Sequence, residues 1–432
     1  MSRPTIGFAG LTHLGIVSGA AAAAREFPVV AFDVDPARVA DLAAGKLPIV
    51  EPGLPELVQQ HRERLSFTSA PADLRACAVV YVAPDVPVDE SGASDLEPIR
   101  ELIQRVAGHL APDATLVILS QVPPGFTRAL GRGPARTFYQ VETLVFGRAV
   151  ERALEPERFI VGCADPSAAL PGPLAGYLEA FGCPILRMRY ESAELAKISI
   201  NTCLVASITA ANTLAELCEQ IGADWSEIVP ALRLDRRIGS HAYLTPGLGI
   251  GGGNLERDLA TICRLADQHG TDAGVVRAWI ANSAHRRDWA LAQIHERVVA
   301  RVKEPVLAVL GLAYKENTAS TRNSPALALL AALGPFAVRA WDPVVSAAPE
   351  FHPRLTGAAS ALDACVGADA LIVMTPWPEF RELRPDAVAS RLRGRVVIDP
   401  NGILDGPAFR AAGLEYARLG QPLRGATGES RC

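Results

Sequence analysis

The stretch that most constrains this chain is its opening, TIGFAGLTHLGIVSGAAAAAREFPVVAFDVD, residues 5–35. An apolar run, a glycine-bounded turn, an Ala-rich segment and a second apolar run ending in acid follow the order of a strand–helix–strand unit. A crossover of that length joins parallel strands, because a hairpin is too short to bring two strands into parallel register. The alternation continues with CAVVYVA, a helix near residues 96–110, ATLVILS and FIVG. A doubly wound parallel sheet is therefore predicted over residues 1–188.

From residue 189 the pattern turns helical. ESAELAKISINTCLVASITAANTLAELCEQIG reads as one helix of about thirty residues, long enough to serve as a spine or a dimer surface. After Lys303 the strand–helix alternation resumes in PVLAVLGLAY, SPALALLAAL, AVRAWDP, ADALIVMTPW and RVVIDP. The fold class that follows is α/β, with two Rossmann-like doubly wound domains joined by a long central helix and a helical middle domain. The divisions are 1–188, 189–302 and 303–432.

Charge and cysteine usage narrow the function classes. The formal charge is −5 and charged residues make up 21% of the 432-residue chain, so no basic surplus points to nucleic acid as a partner. No uninterrupted apolar run reaches the ~18 residues of a membrane span. The apolar N-terminal stretch is broken by Thr12, His13 and glycines, unlike a secretory signal. Eight cysteines are scattered singly without a CxxC pair. That spacing predicts a reducing, cytoplasmic setting and no metal site. Only four of the 42 basic residues are lysine, at 46, 197, 303 and 315. A chain this committed to arginine keeps a lysine where a compact ammonium is needed.

Two stretches carry candidate chemistry. Gly10, Thr12, His13, Leu14 and Gly15 form a G-x-x-x-x-G turn with threonine where a dinucleotide fingerprint has its second glycine. Thr12 would tighten the fit to a pyrophosphate at the helix N-terminus or add a hydroxyl donor to it. Asp33 closes the second strand, placed either to take ribose hydroxyls or to serve as a turn residue. Arg38 could greet a 2′-phosphate, but Asp33 opposes one, so the balance favours NAD over NADP. The second stretch is GLGIGGGNLERDL, residues 247–259, in which Gly251, Gly252 and Gly253 leave the backbone open to a ligand just before Asn254 and Asp258.

Taken in order, KLPIVEPGL (46–54), SQVPPGFT (120–127), ELAKISIN (194–201), LDRRIG (234–239), GLGIGGGNLERDL, GLAYKENTASTRNSPA (311–326), WDP (341–343) and TPWPEF (375–380) resemble the UDP-glucose/GDP-mannose 6-dehydrogenase family over nearly the whole chain. The resemblance implies an NAD-binding domain, a helical dimerising middle and a C-terminal domain that binds the sugar nucleotide. It also implies oxidation of a hexose C6 alcohol to an aldehyde, then cysteine attack, a second hydride loss and hydrolysis to the acid.

Here the chain departs from the pattern, because Asn254 stands where the resemblance places the cysteine. A carboxamide cannot form a thiohemiacetal. Cys203 and Cys263 are expected to be core residues rather than substitutes. By the same resemblance Lys197 is a catalytic lysine, Asp258 an active-site aspartate and Glu142 a candidate base. Asn201 contacts substrate, Arg237 reaches sugar across a dimer, and Lys315 and Arg322 reach nucleotide and cofactor. The second glutamate of the loop that carries Glu142 is replaced by Phe146, and Arg257 replaces a lysine.

The leading expectation is an NAD-dependent oxidoreductase acting on a UDP-hexose that stops after one oxidation, as a homodimer built through the central helix. Two other readings are an epimerase or dehydratase that oxidises transiently with retained NAD, and a non-catalytic nucleotide-sugar binder.

Overall fold

Eight short strands, β1 (Ile6–Ala9), β2 (Val29–Phe32), β3 (Leu65–Thr68), β4 (Val79–Val82), β5 (Thr115–Ile118), β6 (Thr137–Gln140), β7 (Phe159–Cys163) and β8 (Ile185–Arg189), form one sheet in the order β3-β2-β1-β4-β5-β6-β7-β8. Every pairing is parallel except β6 with β7. The central strands β1, β4 and β5 are buried along their whole length, as their unbroken apolar runs require of strands covered on both faces. This computed structural model describes residues 3–87, 94–131, 136–251 and 253–422. The chain divides into two compact units, Met1–Ile200 and Asn201–Cys432.

The first helix, His13–Ala24, starts directly after the glycine turn and presents small alanines to its surroundings, which lets it lie close to β1 and β2. Gly162 in β7 has a similar role. A Cβ there would fall 2.9 Å from that of Ala193 and 3.2 Å from the Tyr190 Cα, so only glycine admits the start of the long helix Tyr190–Ile221.

That helix spans 32 residues, and the division between the two units falls within it. By length and composition it could cross a membrane. Its polar residues instead bond within the protein. Asn212 accepts from the Gly247 N–H at 2.8 Å, and Glu219 accepts from Arg286, Trp289 and the Gly420 N–H at 2.8, 2.8 and 2.9 Å. A buried carboxylate supplied with three donors belongs to a core helix, since hydrocarbon offers no such partners.

The second unit carries a further sheet of β9 (Val306–Leu310), β10 (Ala337–Trp341), β11 (Leu355–Gly357), β12 (Ala370–Val373), β13 (Val396–Ile398) and β14 (Glu415–Ala417), ordered β11-β10-β9-β12-β13-β14 and wholly parallel. The α/β class with two doubly wound sheets and a helical middle region is thus the fold of this chain.

Candidate functional site

The turn after β1 is built for close approach. Gly10 has φ +92°, and a Cβ on it would lie 2.8 Å from Pro84; one on Gly15 would lie 2.0 Å from the Gly10 carbonyl oxygen. The backbone therefore passes where side chains cannot, at the start of a helix that has no side-chain cap. Asp33 is 2% exposed. Its carboxylate accepts from the Leu11 N–H at 2.7 Å, the Asp35 N–H at 3.0 Å and Arg38 at 3.0 Å, so Asp33 organises the turn as well as ending β2. Thr12 accepts from the Asp85 N–H at 2.8 Å and its hydroxyl also bonds the Asp85 carboxyl, so Thr12 ties the turn to Asp85. This cradle fits a dinucleotide, with bare backbone at a helix N-terminus for the pyrophosphate and an acid at the end of β2 for the ribose.

Asp85 is a residue the sequence reading missed. The protein packed round its carboxyl raises it above the usual carboxylate range, and the charge of Glu142 adds to this, although Thr12 and His13 pull the other way.

Glu142 and Lys197, far apart in sequence, meet at 3.0 Å as an ion pair with side chains only 15% and 11% exposed. Lys197 is held by its own helix. One turn earlier Glu194, fully buried, accepts from the N–H groups of Gly125 and Thr127 at 2.6 and 2.8 Å. Burial raises the Glu194 carboxyl, with the two backbone bonds opposing. Two of the sequence landmarks, SQVPPGFT and ELAKISIN, are thereby tied together, which Glu194 could have signalled from its place beside Lys197.

In the second unit Asn201 donates from Nδ2 to Asp258 Oδ2 at 2.6 Å, both buried. Arg257 lies 3.4 Å from the other Asp258 oxygen. Asn254 opens the helix Asn254–His269 and is exposed, one turn before Asp258 on the same face. Gly253 lies against Arg322, where a Cβ would fall 2.9 Å from Nε. Gly251 has only ordinary clearance, and Gly252 lies outside the described residues. The most constrained of the described glycines in this stretch is Gly249, with φ +72° and a Cβ position 2.3 Å from the Ser283 carbonyl oxygen.

Lys315 places its ammonium over the Tyr314 ring at 5.6 Å, and Arg237, with its side chain 89% exposed, is bonded to Asp235 at 2.7 and 3.0 Å. Cys263 is buried beside Leu259 as expected, but Cys203 is exposed, correcting the expectation that it is a core residue. Six positions beyond Lys197, it points to a face of the helix that its own unit leaves uncovered. Among the described residues no cluster of three or more His, Cys, Asp or Glu side chains is arranged to hold a metal ion.

The first sheet with its glycine turn and Asp33 defines a dinucleotide-binding α/β protein. Three family descriptions match along the chain: the UDP-glucose/GDP-mannose dehydrogenase NAD binding domain at residues 4–172, the central domain at 191–284 and the UDP binding domain at 308–406. The chain is 30% identical to the UDP-glucose 6-dehydrogenase TuaD of Bacillus subtilis over 96% of this chain and 92% of that one. Among solved structures, a UDP-glucose dehydrogenase from Pyrobaculum islandicum matches with TM-score 0.84 at 26% identity, covering 97% of this chain and 98% of the other. A UDP-D-ManNAc dehydrogenase from Pyrococcus horikoshii matches with TM-score 0.83 at 25% identity, covering 97% and 100%. The chain belongs to the UDP-glucose/GDP-mannose dehydrogenase family, it is an oxidoreductase of that family, and its cofactor is NAD.

Proposed function

We propose that this protein oxidises the hexose alcohol of a UDP-sugar once, to the aldehyde or ketone, and stops there. The observation that carries the reading is Asn254, an exposed carboxamide at the head of its helix, where the family resemblance places the thiol of the second oxidation. NAD, when bound, accepts the hydride. The chain's own work is to take the alcohol proton and to steady the charge developing on oxygen. Glu142 is the base, paired with Lys197, whose ammonium stabilises the alkoxide in a nearly dry setting. Asp258, oriented by Asn201, and the Asn254 amide supply hydrogen bonds to the sugar. Without a thioester, nothing makes the product irreversible.

The same reading includes Lys315 and Gly251–Gly253 as contacts to the sugar nucleotide, Arg322 as a contact to the cofactor, and Arg237, exposed, as a residue reaching sugar in a second copy. A homodimer through the helical middle is supported by apolar side chains facing solvent. Leu214, Leu217 and Ile221, spaced three and four apart on the long helix, are 45%, 52% and 65% exposed, and Leu234 is 84% exposed. The scattered free thiols suit a cytoplasmic setting.

The test is anaerobic incubation with NAD and a panel of UDP- and GDP-sugars, reading NADH and product mass together. One NADH per product lighter by two hydrogens is the expected result. Two NADH per acid would overturn it. A changed sugar without net NADH would instead select the epimerase or dehydratase reading, and binding without turnover would select the non-catalytic one.

A further inference from the structure

The segment Val141–Ala149, which brings Glu142 to Lys197, leaves β6 and runs over a pocket lined by Leu14, Ser18, Tyr81 and Gln140. Leu144 packs against the core there and Arg152 donates to the Thr143 carbonyl at 2.8 Å. The far end of the segment is fixed by Glu51, 3% exposed, from KLPIVEPGL. Glu51 Oε1 accepts from the Ala149 N–H at 2.8 Å and Oε2 from the Gly147 N–H at 3.0 Å. The same Oε2 lies 2.9 Å from His13 Nε2. Burial opposes ionisation of Glu51, yet the His13 bond, the two backbone N–H groups and the His13 charge together hold its carboxyl below the usual range. A carboxylate only accepts, so Nε2 carries the hydrogen in this bond.

His13 is the first residue of the helix that begins at the nucleotide turn. Phe146 stacks on its ring, centroids 4.0 Å apart and planes 23° from parallel. One buried carboxylate therefore holds both the loop bearing Glu142 and the helix start that faces the cofactor's pyrophosphate.

We infer that Glu51, with His13 and Phe146, is a positioning clamp that transmits NAD binding at the Gly10–Gly15 turn to the Glu142 loop, setting the base against Lys197 when cofactor is present. Glu51 touches neither cofactor nor reacting atoms in this scheme; it acts through His13 and through the backbone of Gly147 and Ala149. The clamp rests on the proposed role of Glu142 as base, although its coupling to NAD is measurable without any sugar substrate.

The experiment is hydrogen exchange over residues 142–149 of the full-length protein, with and without NAD, each variant saturated as judged from its own binding titration. In the wild type NAD slows exchange of this segment by about fivefold or more. Glu51→Gln, which lacks a second accepting oxygen, reduces the NAD effect to less than about twofold even at full occupancy. Kinetically it lowers kcat, referred to the NAD-binding protein counted in the same titration so that any loss of folded enzyme drops out, while leaving the sugar-nucleotide KM within about twofold.

If Glu51→Gln does not fold, His13→Gln, which keeps a donor toward Glu51, retains the NAD effect, and His13→Leu loses it. An NAD effect that survives in Glu51→Gln or His13→Leu overturns the clamp. So does a wild-type loop indifferent to NAD, or a protein that does not bind NAD. A loop that responds to NAD in a protein that turns over no sugar nucleotide keeps the clamp and removes the proposed function.

Discussion

Asp33 and Asp342 stand at the same place in two sheets that share the strand order 3-2-1-4-5-6, each just past the second strand and facing a glycine turn after the first. Gly10 and Gly311 have φ of +92° and +87°. Asp342 is saturated by its own chain. It accepts from the N–H groups of Leu312, Ala313, Val344 and Val345 at 2.7, 3.2, 2.9 and 2.8 Å and from the Trp377 indole at 3.0 Å. Asp33 has two backbone donors and the arginine Arg38, which leaves capacity for a ligand on a carboxylate with about four acceptor sites. One topology thus leaves the acid with acceptor capacity to spare in the first sheet and makes it a saturated structural anchor in the second.

The largest effect expected from this contrast is on stability. Asp342→Ala strips buried N–H groups of their acceptor, each worth about 1–3 kcal/mol, and should lower the melting temperature far more than Asp33→Ala does. Asp33→Ala should instead raise the NAD Kd by about tenfold or more, a loss of roughly 1.4 kcal/mol. Calorimetry and an NAD titration on both variants decide this; equal destabilisation would dissolve the contrast.

The next effect concerns the rim of each turn. Pro84 packs against Gly10 and Thr375 against Gly311, but the following residue is Asp85 in one case and Pro376 in the other. The raised Asp85 carboxyl is neutral more readily than a free one and repels a pyrophosphate once ionised. NAD affinity of the wild type should therefore strengthen as pH falls through the raised range of the Asp85 carboxyl, and Asp85→Asn should flatten that dependence and bind more tightly above it. A flat wild-type profile would remove Asp85 from the cofactor's surroundings.

The smallest effect is on thiols. Cys77 and Cys365 each lie between the third and fourth strands of their sheets, and burial pushes both up to about 12. Among the described cysteines, mass-resolved alkylation of the native protein should find exposed Cys203 labelled first and these two last. Early labelling of Cys77 or Cys365 would show that one sheet opens locally.

Both sheets were legible from apolar runs at their centres, since β1, β4, β9 and β12 are covered on both faces and read as unbroken hydrophobic stretches. The edge strands β3, β8 and β11 were not, because LSFT, ILRMR and LTG are half exposed and carry no such run. Long helices were legible by period, and Tyr190–Ile221 differs from its expected limits only at the ends. Lys197, Asn201 and Asp258 were legible as residue types in quoted motifs, and Glu142 through the family resemblance. Glu51 and Glu194 were not, because what marks them is the backbone N–H groups they meet, and Asp85 was not, because its partners Thr12 and His13 belong, like those N–H groups, to segments distant in the chain.

The sequence by itself determined the alternation of strand and helix, the glycine turn with its acid at the end of β2, and the asparagine at the head of the glycine-rich helix. All of these follow from local spacing and residue chemistry. Tertiary structure alone decided that Glu142 pairs with Lys197, that Asn201 orients Asp258, and that Asp342 is consumed by its own backbone while Asp33 is not. Pairing and saturation depend on which donors the fold brings within about 3 Å, a quantity that no spacing along the chain encodes.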